Sequence, residues 1–217
     1  METNKIHCMD CVSGMRERVD DNSVDLVVTS PPYNLGIKYD VYDDNQKYED
    51  YFRIVEEWAT ELYRVMKPDG RVCLNVILTC GTSDFMVSHF AEYYHLFKKA
   101  GFHFFSSAIW DDITIAKRTA WGSWISASAP YINSPFEGVL FFYKHQWKKI
   151  NPGKTSISPK EFMKATSGVW SFNPQHREGH PAPFPISLPR LCIKLFSWEG
   201  DLVLDPFVGS GTTAVAA

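Results

Sequence analysis

Val24-Asp25-Leu26-Val27-Val28-Thr29-Ser30-Pro31-Pro32-Tyr33 is the stretch on which the reading of the fold depends. Its first six residues form a short β-branched run, the pattern of a buried strand. Pro31 and Pro32 end it, because neither has an N–H to continue a ladder. Outward from there, 48–66 carries Tyr51, Ile54, Val55, Trp58, Leu62 and Val65 at helical spacing. Lys67-Pro68-Asp69-Gly70 reads as a stop and turn. A strand is predicted over 71–78, a second amphipathic helix over 84–99 closed by Gly101, and a strand over 102–110. This alternation predicts an α/β domain with a mostly parallel sheet and helices on both faces. In such sheets ligands sit beyond the C-terminal ends of the strands.

Farther along, periodicity is lost over 111–135, and 138–143 resumes as a strand. The stretch 146–175 is loop-like and basic, with a short helix near 159–165. A helix over 188–197 and a strand over 202–204 lead into Asp205-Pro206-Phe207. A length of 217 residues with 45% apolar content fits one domain with an inserted region. No apolar run approaches 18 residues, so no membrane span is expected. The N-terminus lacks the apolar core of a secretory signal, which points to the cytoplasm.

Five cysteines without such a signal suggest free thiols. Cys8 and Cys11 form a Cys-x-x-Cys, but no second pair completes a zinc site, so no metal is expected. Each is read instead as a small buried residue at an end of a strand-to-turn segment. His7, His89, His95 and His103 show no ligand spacing and read as structural or surface residues. The net charge of −3 conceals an asymmetry. Residues 113–164 contain Lys117, Arg118, Lys144, Lys148, Lys149, Lys154, Lys160 and Lys164 against only Glu137 and Glu161. The remainder holds 14 basic and 23 acidic residues. A basic middle in an acidic frame fits a phosphate-facing surface, and equally a solvated one.

Two loops carry chemistry. Asp205-Pro206-Phe207-Val208-Gly209-Ser210-Gly211-Thr212-Thr213-Ala214 places a Gly-x-Gly-x-x-Ala between a strand and a helix. Glycines there let backbone approach a nucleotide-like ligand. No lysine follows them, which excludes a P-loop. The second loop is Thr29 to Asn34. An exocyclic amino group on a base is a poor nucleophile, because its lone pair is delocalised into the ring. Ser30 can accept one of its hydrogens and the Pro31 carbonyl the other. The Pro31-Pro32 pair is rigid and keeps carbonyls aimed. Tyr33 offers a face for an extruded base, worth ~1–3 kcal/mol. Taken alone, each loop also fits a structural turn.

Together they resemble the amino-methyltransferases of bacterial restriction–modification systems. The catalytic motif there reads Asp/Asn/Ser-Pro-Pro-Tyr/Phe/Trp, and the cofactor motif resembles Asp-Pro-Phe-x-Gly-Ser-Gly-Thr-Thr. Ser30 to Tyr33 and Asp205 to Thr213 match, with the catalytic motif first, as in the circularly permuted β order. His180-Pro181-Ala182-Pro183-Phe184-Pro185 looks like the segment flanking the methionine end of the cofactor. Met9-Asp10-Cys11 looks like the segment touching its adenine.

The resemblance implies a Rossmann-like fold over residues 1–217, S-adenosylmethionine as cofactor, double-stranded DNA as partner and a flipped base. It implies direct in-line methyl transfer. Ser30, Pro31, Pro32 and Tyr33 become the catalytic residues. Asp10, Cys11, Thr29, His180, Pro181, Phe184, Asp205, Pro206, Phe207, Gly209, Ser210, Gly211, Thr212 and Thr213 become the cofactor set. Target recognition is expected near 111–135, with the basic region 144–175 in support. Asn34, Lys117, Arg118, Lys144, Lys148 and Lys149 are the candidate DNA contacts. Trp121 and Trp124 read as core residues or as fillers of the gap a flipped base leaves. A cognate restriction endonuclease is the implied partner enzyme.

Serine at position 30 resembles the cytosine-N4 members, whereas aspartate is typical of the adenine-N6 members. No Pro-Cys dipeptide occurs, which disfavours methylation of a ring carbon. Adenine-N6 transfer, an RNA or protein-amide methyltransferase, and a non-catalytic DNA-binding subunit stay open. A ribose-binding acid is expected ~20 residues beyond the glycine turn, past Ala217. The expectations are a truncated chain, a homodimer or second chain that supplies the strand, or a remnant. That strand is expected between the Asp205 strand and the N-terminal one.

Overall fold

Every position of β1 (Val24–Thr29) is buried, so the strand needs neighbours on both sides and cover on both faces. The computed structural model describes residues 2–39, 42–82, 85–112, 121–132, 136–173 and 184–217. In chain order, α1 (Cys11–Arg18) precedes β1, and α2 (Tyr48–Val65) and β2 (Met66–Ile77) follow. A hairpin of β3 (Cys80–Thr82) and β4 (Phe85–Val87) leads to α3 (His89–Ala100) and β5 (His103–Asp112). A second small hairpin, β6 (Trp121–Gly122) and β7 (Pro130–Tyr131), precedes β8 (Phe136–Tyr143). The chain continues through α4 (Pro159–Ala165), β9 (Val169–Phe172), α5 (Ser187–Phe196), β10 (Val203–Leu204) and α6 (Thr212–Ala216).

Six strands form one sheet in the order β10-β1-β2-β8-β5-β9. β1 is parallel to β10 and β2, and β5 is parallel to β9. β8 alone runs against its neighbours β2 and β5. The period of two along each strand sorts side chains onto two faces. Val27, Val72, Leu74, Val76, Leu140 and Phe142 face the helices α2 and α3, with Trp58, Leu62, Tyr93 and Phe97. Leu26, Val28, Cys73, Val139 and Phe141 face α5, with Leu188, Cys192 and Phe196. The expected fold class is therefore present, as a mixed sheet with one reversed strand.

Several boundaries differ from expectation. Residues 67–70 lie inside β2, where the register with β1 shifts between Val24 and Leu26. The irregularity absorbs Pro68 and Gly70, as a bulge does. The helix expected over 84–99 begins at His89, because Ser88 caps it by accepting Ala91 N–H at 3.3 Å. β9 forms within the stretch expected as loop: four residues with one buried side chain, Trp170, carry too short a pattern to mark a strand. Cys8 is exposed and Cys11 opens a helix, so neither bounds a strand-to-turn segment. The expected vacancy beside β1 does not exist. Leu26 pairs with Val203 and Val27 with Leu204, so any further strand would lie outside β10. No described helix is long and apolar enough to cross a membrane.

The α3 face is held by aromatic packing. Phe97 is fully buried and stacks on Phe142 with ring centroids 4.7 Å apart. Phe97→Ala is expected to cost about 3–5 kcal/mol, read as a lower urea midpoint with an unchanged m-value.

Candidate active site

Because β1 and β10 are adjacent and parallel, the loops that follow them open on the same edge of the sheet. The Asp205 carboxylate joins the two. Thr29 Oγ1 donates to its Oδ1 at 2.6 Å, Phe207 N–H to Oδ1 at 2.9 Å and Thr213 Oγ1 to Oδ2 at 2.6 Å. Burial pushes the carboxyl pKa up, and the three donors oppose the shift. Gly209 and Gly211 have φ of 51° and 90°, a backbone region that favours glycine. A Cβ placed on Gly211 would meet only Ile6 Cδ1, at 3.8 Å, so the loop backbone is open to a ligand.

The proline loop is anchored at successive carbonyls. Tyr51 Oη donates to Pro32 O at 2.7 Å. His89 Nε2 lies 2.8 Å from Tyr33 O. A carbonyl only accepts, so Nε2 carries a proton, and burial holds the imidazole pKa down. The chain then turns at Asn34, φ 59°. The buried Asp44 carboxylate accepts the N–H groups of Asn34, Leu35 and Ile37 at 2.9, 3.1 and 3.0 Å.

Ser30 heads the loop, with its Oγ 2.7 Å from Tyr33 Oη. Tyr33 Oη is also 3.1 Å from Asn75 O and 3.1 Å from Glu137 Oε2. Asn75 Nδ2 donates to Glu137 Oε2 at 2.6 Å and to Tyr33 Oη at 3.0 Å. Burial, and next the Glu137 carboxylate, push the Tyr33 pKa well up, so its phenol stays protonated.

Between the loops lies a cavity of ≈ 490 Å³. Met9, Asp10 and Cys11 form one wall, Pro31 and Pro32 a second, Pro206 and Phe207 a third. Tyr51, Trp58 and Tyr93 are among the aromatic residues that complete it. Asp10 caps α1 by accepting Ser13 N–H at 2.9 Å, which holds its pKa down and keeps it anionic. Cys11 is pushed up to about 12 by burial and by Asp10, so its thiol is inert. An apolar, aromatic cleft with a few directed polar groups and an open glycine backbone fits a nucleoside-bearing methyl donor.

The structure thus brings Asp10, Cys11, Thr29 to Tyr33 and Asp205 to Thr213 to one edge, although 176 residues separate Thr29 from Asp205. Phe184 does not line the cleft; it packs on the core under α5. His180, Pro181, Lys117 and Arg118 lie outside the described residues, as does the side chain of Trp121. Trp124 is 83% exposed, which overturns its reading as core.

The expected DNA contacts need correction. Asn34 is buried, and its amide is spent within the loop, from Nδ2 to Gln46 O at 2.8 Å and from Gln46 N to Oδ1 at 2.7 Å. Lys144 is buried, with Nζ donating to Asn22 Oδ1 at 2.8 Å and Met66 O at 2.9 Å. Lys149 Nζ is 3.1 Å from Asp201 and 3.6 Å from Asp25, at the start of β1. Lys148 is exposed but adjoins Lys149, at the sheet end away from Ser30. Asn75 and Glu137, which join the site, were not anticipated. Their one signal is a polar residue among apolar ones, Asn75 between Leu74 and Val76 and Glu137 just after Phe136.

Fold and site define an S-adenosylmethionine-dependent methyltransferase, and comparison with known proteins identifies the kind. Residues 24–217 match the DNA methylase family of N6 and N4 amino-methyltransferases, and the chain belongs to it. It is 38% identical to the type II methyltransferase M.MjaVI of Methanocaldococcus jannaschii, over 78% of this chain and 88% of that protein. It is 31% identical to the type II methyltransferase M.HpaI of Haemophilus parainfluenzae, over 96% of this chain but 64% of that one. A DNA modification methylase of Thermus thermophilus, solved with S-adenosyl-L-methionine, superposes with TM-score 0.74 at 25% identity. That match covers 97% of this chain and 83% of the other. The protein is a DNA methyltransferase with S-adenosylmethionine as its cofactor.

Lys144→Ala is expected to cost about 1.5–3 kcal/mol through its lost charged hydrogen bonds. The salt slope of DNA binding should not change; a slope shallower by about one would restore Lys144 as a phosphate contact.

Proposed function

We propose that this chain methylates the exocyclic N4 of cytosine in duplex DNA, with Ser30, Pro31, Pro32 and Tyr33 as its catalytic loop. The observation that carries the reading is the Ser30 hydroxyl at the head of an anchored proline loop, on the same sheet edge as the glycine loop. Serine at this position is the residue of the cytosine-N4 members that the sequence resembles. Asp205, Phe207, the Gly209–Gly211 backbone, Asp10 and Cys11 hold the cofactor in the cleft between the loops. When bound, the cofactor supplies an electrophilic methyl group.

The chain's own part is to bind and orient. Ser30 Oγ accepts one amino hydrogen and the Pro31 carbonyl the other, which draws the nitrogen lone pair out of the ring. The ring of Tyr33, fixed through its hydroxyl, supports the base. Ser30 is partly buried, so a paired base reaches it only by leaving the helix. The insertion at 111–135 serves target recognition. Its described hairpin presents Trp124, Ile125 and Ile132, each more than 80% exposed.

Mass spectrometry of nucleosides from duplex DNA incubated with the protein and S-adenosylmethionine tests the assignment. N4-methylcytosine is expected, and N6-methyladenine in its place overturns the choice of base. Ser30→Ala should lower the single-turnover rate by about 10²-fold with cofactor affinity retained.

A further inference from the structure

Glu137 carries a carboxylate into the catalytic loop from a strand that no motif marks. It sits at the second position of β8, between Ile77 of β2 and Trp110 of β5 in the sheet register. Its Oε2 is 2.6 Å from Asn75 Nδ2 and 3.1 Å from Tyr33 Oη. Tyr33 Oη is in turn 2.7 Å from Ser30 Oγ.

The direction of these hydrogen bonds follows from which groups can donate. Asn75 O and Glu137 Oε2 accept, and Asn75 Nδ2 donates. Tyr33 has one proton, and two acceptor-only groups compete for it. With that proton directed to either, the 2.7 Å contact is filled by the Ser30 hydroxyl donating to Tyr33 Oη. Asn75 Nδ2 also lies 3.4 Å from Ser30 Oγ and engages one of its lone pairs, so Ser30 turns its other lone pair, not its proton, toward an incoming amino group. A serine hydroxyl is neutral and can point either way, so the network decides whether Ser30 accepts or repels an N–H. Asn75 O could orient Tyr33 by itself. What it lacks is a negative charge and the capacity to keep a proton.

We infer that Glu137 is a positioning residue and the proton acceptor of this methyl transfer, acting through Tyr33 and Ser30. The inference rests on the reading of Ser30 as catalytic. In the transfer, the amino nitrogen's lone pair forms the N–C bond, and the C–S bond breaks with its pair left on sulfur. The nitrogen gains positive charge and loses one proton to Ser30 Oγ. Ser30 passes its own proton to Tyr33 Oη, and Tyr33 passes its own to Glu137 Oε2. One proton leaves the nitrogen, one arrives at the carboxylate, and both hydroxyls are regenerated. Glu137 also places the formal negative charge that offsets the developing cation.

Glu137→Gln separates charge from shape. Glutamine keeps an oxygen that can accept from Asn75 and Tyr33, but it neither carries charge nor retains a proton. The expected result is a loss of about 10²-fold in the single-turnover rate, with KM for DNA and Kd for S-adenosylmethionine within twofold of the parent. Tyr33→Phe, which breaks the relay and leaves the carboxylate, should lose a similar factor. The solvent deuterium isotope effect of the parent should fall toward unity in both variants. A Glu137→Gln enzyme within twofold of the parent rate overturns the inference, as does an unchanged isotope effect. The Ser30→Ala control distinguishes the failures. If Ser30→Ala is inactive while Glu137→Gln is not, the relay is wrong and the loop stands. If Ser30→Ala retains activity, the catalytic loop itself is wrong. Unchanged cofactor affinity in each variant reports that it is folded.

Discussion

The carboxylate of Asp205 receives the hydroxyls of Thr29 and Thr213 and the N–H of Phe207. These bonds span the last residue of β1, the residue after β10 and the first turn of α6. They fix the separation of the two loops. Direct pairing of Leu26 with Val203 and of Val27 with Leu204 brings the strands into register, and the carboxylate then locks their ends. Charge-assisted bonds of 2.6 Å are short and directional, so they hold the two loop ends together. A methyl transfer needs donor and acceptor aligned to within fractions of an ångström, and rigid coupling of this kind favours it.

Around this tie the structure anchors the proline loop from several directions. Tyr51 holds Pro32, His89 holds Tyr33 and Asp44 gathers three N–H groups of the following turn. Each anchor comes from a different element. Tyr51 is on α2, His89 opens α3, and Asp44 lies in the loop between β1 and α2. The prolines cannot be held by their own N–H groups, and Tyr51 reaches for the Pro32 carbonyl instead. The same logic explains Asn34. Its amide closes on Gln46 and so is unavailable to DNA.

The basic middle of the chain shows how composition can mislead. Lys144 and Lys149 are buried at the opposite end of the sheet, engaged by Asn22 and Met66 O and by Asp25 and Asp201. Asp25 lies in a fully buried strand, and a buried carboxylate needs a cation. Lys67 and Lys149 answer that need, with Lys67 Nζ 2.7 Å from Asp25 Oδ2. Charge counting sees only that lysines are near in sequence. It cannot see that Lys149 faces two acids and that Lys144 is spent on neutral oxygens.

By itself the sequence determined the alternation of strands and helices, the position of both loops and the buried face of α2. Those properties depend on period and on residues with special backbone demands, such as Pro31, Pro32, Gly209 and Gly211. The short helix near 159–165 was also legible, and the structure shows why it starts there: Ser158 and Glu161 form a capping box around Pro159. Only the tertiary structure decided that β10 lies directly against β1, that β8 runs backwards, and that Glu137 and Asn75 reach Tyr33. Strand neighbours and cross-strand partners are set by closure of the chain over long separations, and no local pattern encodes the distance between residues 30 and 137.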